Sequence, residues 1–401
     1  MTRYETVQLL ARKLVPLGLV LASTAVALPL GELLARTMVN PGDFLIATLI
    51  DDPVLGHRIK PHTTGHDALG FRNPVVPAHA NVVAIGDSMT YGFGVAREGS
   101  WPYQLGILLG EPVYNMALGG YGPLQYLHLA QREAMKLGPR TLLVGFYVGN
   151  DLIDAYGAAY QNPYWYRWRK AGMVDAGASD YLRSLEAEPR RRFGPLRDWL
   201  SRHSVLYSLL RATVLARFAP WEQERTADEM TPDRRMVWID PAERSVRTSF
   251  SPRLQLAALD PQLPSVQEGL RITKLAFSAM RNSAEDQGVQ VLVVLIPTKE
   301  CAYFSYVKES GGPMPASFAR LCEAEARLKK DLVQFLATEK IAHVDVTGAM
   351  EASIRRHIQV YPKEADGHPR TSGHGVIARA IYDTLRDRLP GSHGGSTTEQ
   401  R

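Results

Sequence analysis

Five short apolar runs, each followed by an amphipathic helical pattern, constrain this 401-residue chain more than any other feature. The runs are Val82-Val83-Ala84-Ile85, Pro112 to Asn115, Thr141 to Val148 (TLLVGFYV), Val289 to Ile296 (VQVLVVLI) and Ile341 to Val344. Short, β-branched runs without polar alternation read as strands buried on both faces, the environment of a parallel sheet. Helical periods follow them: Trp101 to Leu109, Pro123 to Leu137, Ser265 to Gln287 with Gly288 in the C′ position, Ser317 to Thr338, and Ser372 to Leu389. Strand and helix repeated five times predict an α/β fold with a doubly wound parallel sheet. With 45% hydrophobic and 22% charged residues, the chain has room for one large domain and an attachment.

The attachment is at the N-terminus. Leu14 to Gly31, LVPLGLVLASTAVALPLG, carries no charge over eighteen residues, just enough to cross a hydrocarbon core. Arg3, Arg12 and Lys13 precede it against one acid, Glu5, which leaves the N-terminus in the cytoplasm and sends the bulk outward. Pro16 and Pro29 lie near its ends, where a span tolerates them. Ala25-Val26-Ala27 matches a cleavage pattern, so a signal peptide is the rival reading. The apolar stretch runs past that site, and Gly31 to Arg36 continues as helix, which favours an uncleaved anchor over 1–39. Either way the remainder is exported, to the periplasm in a Gram-negative host.

Residues 40–80, with Gly56 to Pro61 and Leu69 to Asn73, read as a segment wrapping from the membrane to the first strand. The main domain then covers 81–389, and the Gly- and Ser-rich tail 390–401 reads as disordered. Within the domain, 152–264 breaks the alternation. It holds Tyr160, Tyr164, Trp165, Tyr166 and Trp168, then a helical segment from Leu196 to Phe218. A break this long is either a functional lid or a helical insertion that only packs on the core.

Charge and cysteine usage narrow the partners. The net charge is +5, and the basic clusters Arg167-Trp168-Arg169-Lys170 and Arg190-Arg191-Arg192 read as solvated helix faces, so no nucleic-acid partner is expected. No Cys/His spacing suits a metal, and no cofactor is expected. The two cysteines, Cys301 and Cys322, flank a turn at Gly311-Gly312-Pro313; in an oxidising compartment they are expected to pair.

Candidate chemistry begins where the first run ends. Gly86-Asp87-Ser88 puts a small nucleophile at the carboxyl end of the first strand, where open α/β sheets bind ligands. Three other stretches occupy corresponding places. Asn115 to Gly122 holds Gly119 and Gly120, which let a backbone N–H face a developing oxyanion. Gly149-Asn150-Asp151 offers a side-chain amide donor. Asp366-Gly367-His368-Pro369 supplies a base and a carboxylate to orient it. Singly each reads as an ordinary turn. Their joint order along the chain points to nucleophilic catalysis.

These four blocks resemble the SGNH (GDSL-type) hydrolase family over about residues 75–390, with 152–264 outside the shared blocks. The resemblance implies a flavodoxin-like αβα sandwich with a five-stranded parallel sheet. It implies Ser88 as nucleophile, His368 as base and Asp366 as its orienting carboxylate. The oxyanion hole would be the Ser88 N–H, the Gly120 N–H and the Asn150 amide; Gly119 competes, but Gly120 lies at the family's interval from Asn115. His374 lies inside the last helix and reads as structural. Ile296-Pro297-Thr298-Lys299-Glu300 is similar to a segment of the alginate O-acetyltransferase-like branch. The expected activity is therefore ester hydrolysis or O-acetyl transfer on cell-surface carbohydrate, with a membrane-bound acyl donor protein as partner in the second case. A membrane-associated lipid esterase or lysophospholipase is the alternative. A non-catalytic scaffold of a polysaccharide export complex is a third, which has no physical need for the intact Ser/Asn/Asp/His set.

Overall fold

The sheet forms where the sequence is most continuously apolar. In the computed structural model, which describes residues 3–173, 194–215, 236–239, 247–311 and 314–388, a hairpin comes first: β1 (Leu49–Asp52) and β2 (Gly56–Ile59). Then follow β3 (Val82–Gly86), β4 (Val113–Asn115) and β5 (Thr141–Tyr147). A second hairpin pairs β6 (Met236–Ile239) with β7 (Arg247–Phe250). The last strands are β8 (Gln290–Ile296) and β9 (Ala342–Asp345). Five of these make one parallel sheet in the order β4-β3-β5-β8-β9. The fold is α/β, and its strand order is that of flavodoxin-like sheets, which reverse winding between β3 and β5.

Burial explains the order. Val83, Ala84 and Ile85 of β3 and Val293 to Ile296 of β8 are fully buried, as interior strands require. The edge strand β9 is only partly covered. Helices Trp101–Leu109, Thr347–Arg355 and Thr371–Arg388 pack together as one layer. Helices Pro123–Arg132, Asp151–Gln161, Pro264–Glu285 and Ala316–Thr338 make the other.

Three differences from the sequence reading matter. The expected insertion opens with the helix Asp151–Gln161, whose Leu152, Ile153, Ala155 and Ala159 are buried in the core. Its period was masked by Gly157 and two tyrosines, Tyr156 and Tyr160, which are buried as well. The aromatic run after it is also fastened down. Trp165 is buried, and its indole N–H donates to the Val54 carbonyl at 2.7 Å, in the turn between β1 and β2. Helices Pro252–Leu259, Lys299–Glu309 and Thr347–Arg355 lie where no helix was expected. The tail 390–401 and the cluster Arg190 to Arg192 lie outside the described residues.

The chain divides into two compact units, residues 1–48 with 190–224 and residues 49–189 with 225–401. In the first, the helix Arg3–Met38 includes an apolar stretch, Gly18–Met38, with mean hydropathy 1.7, long enough to cross a membrane. The Glu32 carboxylate on this helix accepts from Ser204 Oγ (2.8 Å) and the N–H groups of Val205 (2.9 Å) and Leu206 (3.0 Å). It thereby satisfies the orphan donors that open the helix Val205–Leu210. Arg36 adds a bond to the His203 carbonyl at 2.7 Å.

In the second unit Cys301 and Cys322 are disulfide-bonded, joining the helices Lys299–Glu309 and Ala316–Thr338. Closing a loop of 21 residues restricts the unfolded chain by about 3 kcal/mol on the chain-entropy argument. Replacing both cysteines with serine is expected to lower Tm correspondingly. Thiol titration of the denatured protein should find none before reduction and two after it.

Candidate active site

The end of β3 is built for a sharp turn. A Cβ on Gly86 would lie 2.1 Å from Thr90 Oγ1 and 2.9 Å from the Gly145 carbonyl of β5, so only glycine lets the chain fold back here. Asp87 then caps the short helix Ser88–Tyr91, its carboxylate accepting from the Met89 N–H at 2.9 Å. Ser88 is left on the first turn of that helix, at the carboxyl edge of the sheet and next to the point where the winding reverses.

The loop before the last helix meets it there. Ser88 Oγ lies 2.9 Å from His368 Nε2, and His368 Nδ1 lies 2.6 Å from Asp366 Oδ1. The same carboxylate oxygen accepts the His368 backbone N–H at 3.0 Å. With the imidazole proton on Nδ1, facing Asp366, Nε2 is free to accept from the serine hydroxyl. Burial pushes the Asp366 carboxyl up, but its bonds to His368 and the nearby Lys299 outweigh this and hold it below the usual carboxylate range. Phe93 packs against the imidazole, ring centroids 4.9 Å apart.

The glycine turn after β4 and Asn150 after β5 lie at the same edge of the sheet as Ser88. A Cβ on Gly119 would lie 3.4 Å from that of Ser88, so this glycine sits directly against the nucleophile. Gly120 has φ +79°, a conformation side chains resist. Asn150 ends the turn after β5, its carbonyl accepting from Ile153 and Asp154, both at 2.9 Å. Its side-chain amide donates to the Asp87 carboxylate. Asp151 is fully buried, accepting from Tyr147 N–H (3.0 Å) and Tyr126 Oη (2.9 Å), which fixes that turn. His374 is fully buried too; desolvation drives its pKa down to about 3, and its Nδ1 accepts from the Trp101 N–H at 3.3 Å.

Sequence reasoning missed four participants. His57, from β2, bonds the Gly119 carbonyl through Nε2 at 3.0 Å and places its ring over Gly120. Arg72 is buried and donates to the carbonyls of Gly92 (2.7 Å) and Val95 (2.8 Å), pinning the loop that carries Phe93. Lys299 is buried beneath the Asp366 loop. Asp87 is the orienting acceptor for Asn150. The available signals were local: Arg72 sits in Leu69 to Asn73, and Lys299 in Ile296 to Glu300, both stretches that the sequence reading had marked.

In comparisons with known proteins, no family model matches the chain, and no curated protein matches it. Solved structures similar to it include a member of the lipolytic protein G-D-S-L family from Veillonella parvula, with 10% identity over 77% of this chain and 98% of that one, TM-score 0.36. TesA is 14% identical over 77% and 99%, TM-score 0.36. A catalytic mutant of an acetylxylan esterase from Geobacillus stearothermophilus is 10% identical over 77% and 95%, TM-score 0.37.

Asp87 yields a pH-dependent prediction. Desolvation raises its carboxyl from 3.8 to about 6, against the pull of the Met89 N–H, His368, Asn150 and Ser88. Between those two values the unfolded chain is ionised and the folded one protonated, so wild-type stability falls as pH rises through this window and levels off above it. Asp87→Asn should therefore match wild type near pH 3.5. It should gain across the window and exceed wild type by roughly 3 kcal/mol at pH 7, readable from Tm across pH.

Proposed function

We propose that this protein is a serine ester hydrolase or O-acyltransferase of the SGNH type, acting on esters of carbohydrate. The reading is carried by the hydrogen-bond chain from Ser88 through His368 to Asp366, at 2.9 and 2.6 Å. Ser88 Oγ attacks the ester carbonyl while His368 Nε2 takes the serine proton and Asp366 stabilises the imidazolium. The oxyanion that forms draws N–H donors from Ser88, Gly120 and Asn150. On collapse, the C–O bond to the leaving alcohol breaks, and His368 returns the proton to that oxygen. Acyl-Ser88 then passes its acyl group to water or to a second hydroxyl, which His368 deprotonates in turn.

The surroundings favour a polar alcohol. A cleft of about 450 Å³ runs from Gly120 between the β1–β2 hairpin and the helix Asp151–Gln161. Asp52, His57, Gln125, Asp154, Gln161 and Asn162 are among its walls. Such groups can hydrogen-bond the hydroxyls of a sugar. The larger, mostly apolar cavity of about 670 Å³ is elsewhere, along β4 and the helix Trp101–Leu109; Ser88 and His368 line neither cavity, but the cleft reaches the glycine turn at Gly120. We read the apolar N-terminal helix as an uncleaved anchor that leaves the catalytic unit outside the cytoplasm. In transfer, a membrane-bound acyl donor protein would be the partner.

Ser88→Ala is expected to retain the fold and lose turnover of p-nitrophenyl acetate by on the order of 10⁴ or more. Near-normal activity would end the reading. Asn150→Ala should lower kcat by roughly 10²–10³ with acylation still detectable by mass spectrometry; a change in KM alone would make Asn150 a substrate contact. Acetylated oligosaccharides should release acetate, while p-nitrophenyl palmitate turns over poorly. The reverse preference would point to a lipid esterase.

A further inference from the structure

We propose that Lys299 is a positioning residue for this reaction, fixing the loop that presents Asp366 and His368 to Ser88. The inference rests on the catalytic reading above and adds to it a residue that touches no reacting atom.

The ammonium of Lys299 is in an unusual place. The side chain is fully buried, and a buried ammonium is tolerated only where its three N–H donors find acceptors. Here Nζ lies 2.7 Å from the Pro362 carbonyl, bonds the Glu364 carbonyl, and reaches the Asp366 carbonyl at 3.5 Å. All three acceptors belong to alternate residues of one loop. Residues 362 to 366 therefore curl around the cation, and the last of them is the carboxylate partner of His368. The intervening Lys363 carbonyl faces away and accepts the Ser249 N–H of β7 at 2.8 Å. The loop is thus held from inside by Lys299 and from outside by β7.

The segment around Lys299 is organised to deliver it. Pro297 follows the last residue of β8, and Thr298 caps the helix Lys299–Glu309, its hydroxyl accepting the Cys301 N–H at 3.3 Å. Thr298 Oγ1 also donates to Glu325 at 2.6 Å. Glu300 is turned to β7 and accepts the Ser251 N–H at 2.7 Å. Lys299, on the first position of the helix, is left to the loop. Its charge also contributes to holding Asp366 ionised. A neutral side chain of this length would take this donor from the Glu364 and Asp366 carbonyls and leave Pro362 with Thr248 Oγ1 at 3.4 Å. An arginine would carry the charge in a planar fork that does not fit a three-carbonyl cage.

The test uses the full chain with p-nitrophenyl acetate and compares Lys299→Met and Lys299→Arg with wild type, each checked for a cooperative thermal melt. Lys299→Met is expected to lose on the order of 10²-fold in kcat, the usual cost of a misplaced catalytic group, with KM within about threefold. The acid limb of its kcat/KM profile should move to higher pH, because losing a nearby cation raises the proton affinity of Asp366. Lys299→Arg keeps the charge, so it should lose kcat with the acid limb unmoved. A folded Met variant with wild-type kcat and pH profile would overturn the proposal. If the Met variant does not fold, wild-type kcat in Lys299→Arg would overturn it. Wild-type activity that survives Ser88→Ala would instead overturn the catalytic reading, and this inference with it.

Discussion

The 2.9 Å hydrogen bond between Ser88 and His368 joins residues 280 positions apart, and the rest of the site depends on both ends being fixed before they meet. One end is fixed by the sheet. β3 is buried along its whole length and flanked by β4 and β5, so Ser88 follows directly on a strand held from both sides. The parallel register pairs Gly86 with Gly145, which brings the turn after β5 alongside the turn after β3. The other end is a loop without strand or helix, and it acquires definition from Lys299, from β7 and from the helix that follows it. A site divided between a rigid edge and a fastened loop tolerates little displacement, since a hydrogen-bond chain of two links fails if either length drifts.

Three buried carboxylates, Asp87, Asp151 and Asp154, lie close together after β3 and β5, each raised by burial and two of them further by the charge of Asp87. A fold selected for stability alone would not stack acids there. Their value is in what they orient. Asp151 fixes the turn after β5 through Tyr147 and Tyr126, and Asp87 turns the Asn150 amide. In the proposed mechanism, oxyanion donors contribute most when they need not reorganise as charge develops. Buried acceptors behind them achieve this, because an amide already bonded on one N–H presents the other at a fixed angle. Among the described residues Asp154 Oδ2 has no hydrogen-bond partner, and its carboxyl is pushed well above the ordinary range by desolvation and by Asp87.

The sequence disclosed what periodicity and adjacency can carry. β3, β5 and β8 were legible because strands buried on both faces leave unbroken apolar runs, and their ends came within a residue or two of the expected positions. The blocks that hold Ser88, Asp366 and His368, which the fold brings within hydrogen-bond distance, were legible because each is short and lies after a strand or before a helix. The helix Asp151–Gln161 was not, because small residues and tyrosines bury it without a clear period. Lys299 and Arg72 escaped for another reason. Their role lies in carbonyls 20 or more positions away, which no local pattern encodes. A buried lysine and a surface lysine look alike in one dimension.

The β1–β2 hairpin shows most clearly what wrapping segments contribute. Its sequence, half-exposed and broken by turns, gave no sign of function beyond reaching the first strand. In the fold, His57 bonds the Gly119 carbonyl through Nε2, while its own carbonyl accepts the Tyr121 hydroxyl at 2.8 Å. The hairpin thus grips the glycine turn on both sides of Gly120. That turn needs gripping, because φ +79° at Gly120 is reached without penalty only by a residue that is also free to leave it. A Cβ there would be strained by the backbone and would also lie 3.3 Å from His57 Cε1. The freedom of the glycine and the restraint of the histidine therefore act together. One permits the turn its conformation, and the other keeps it there.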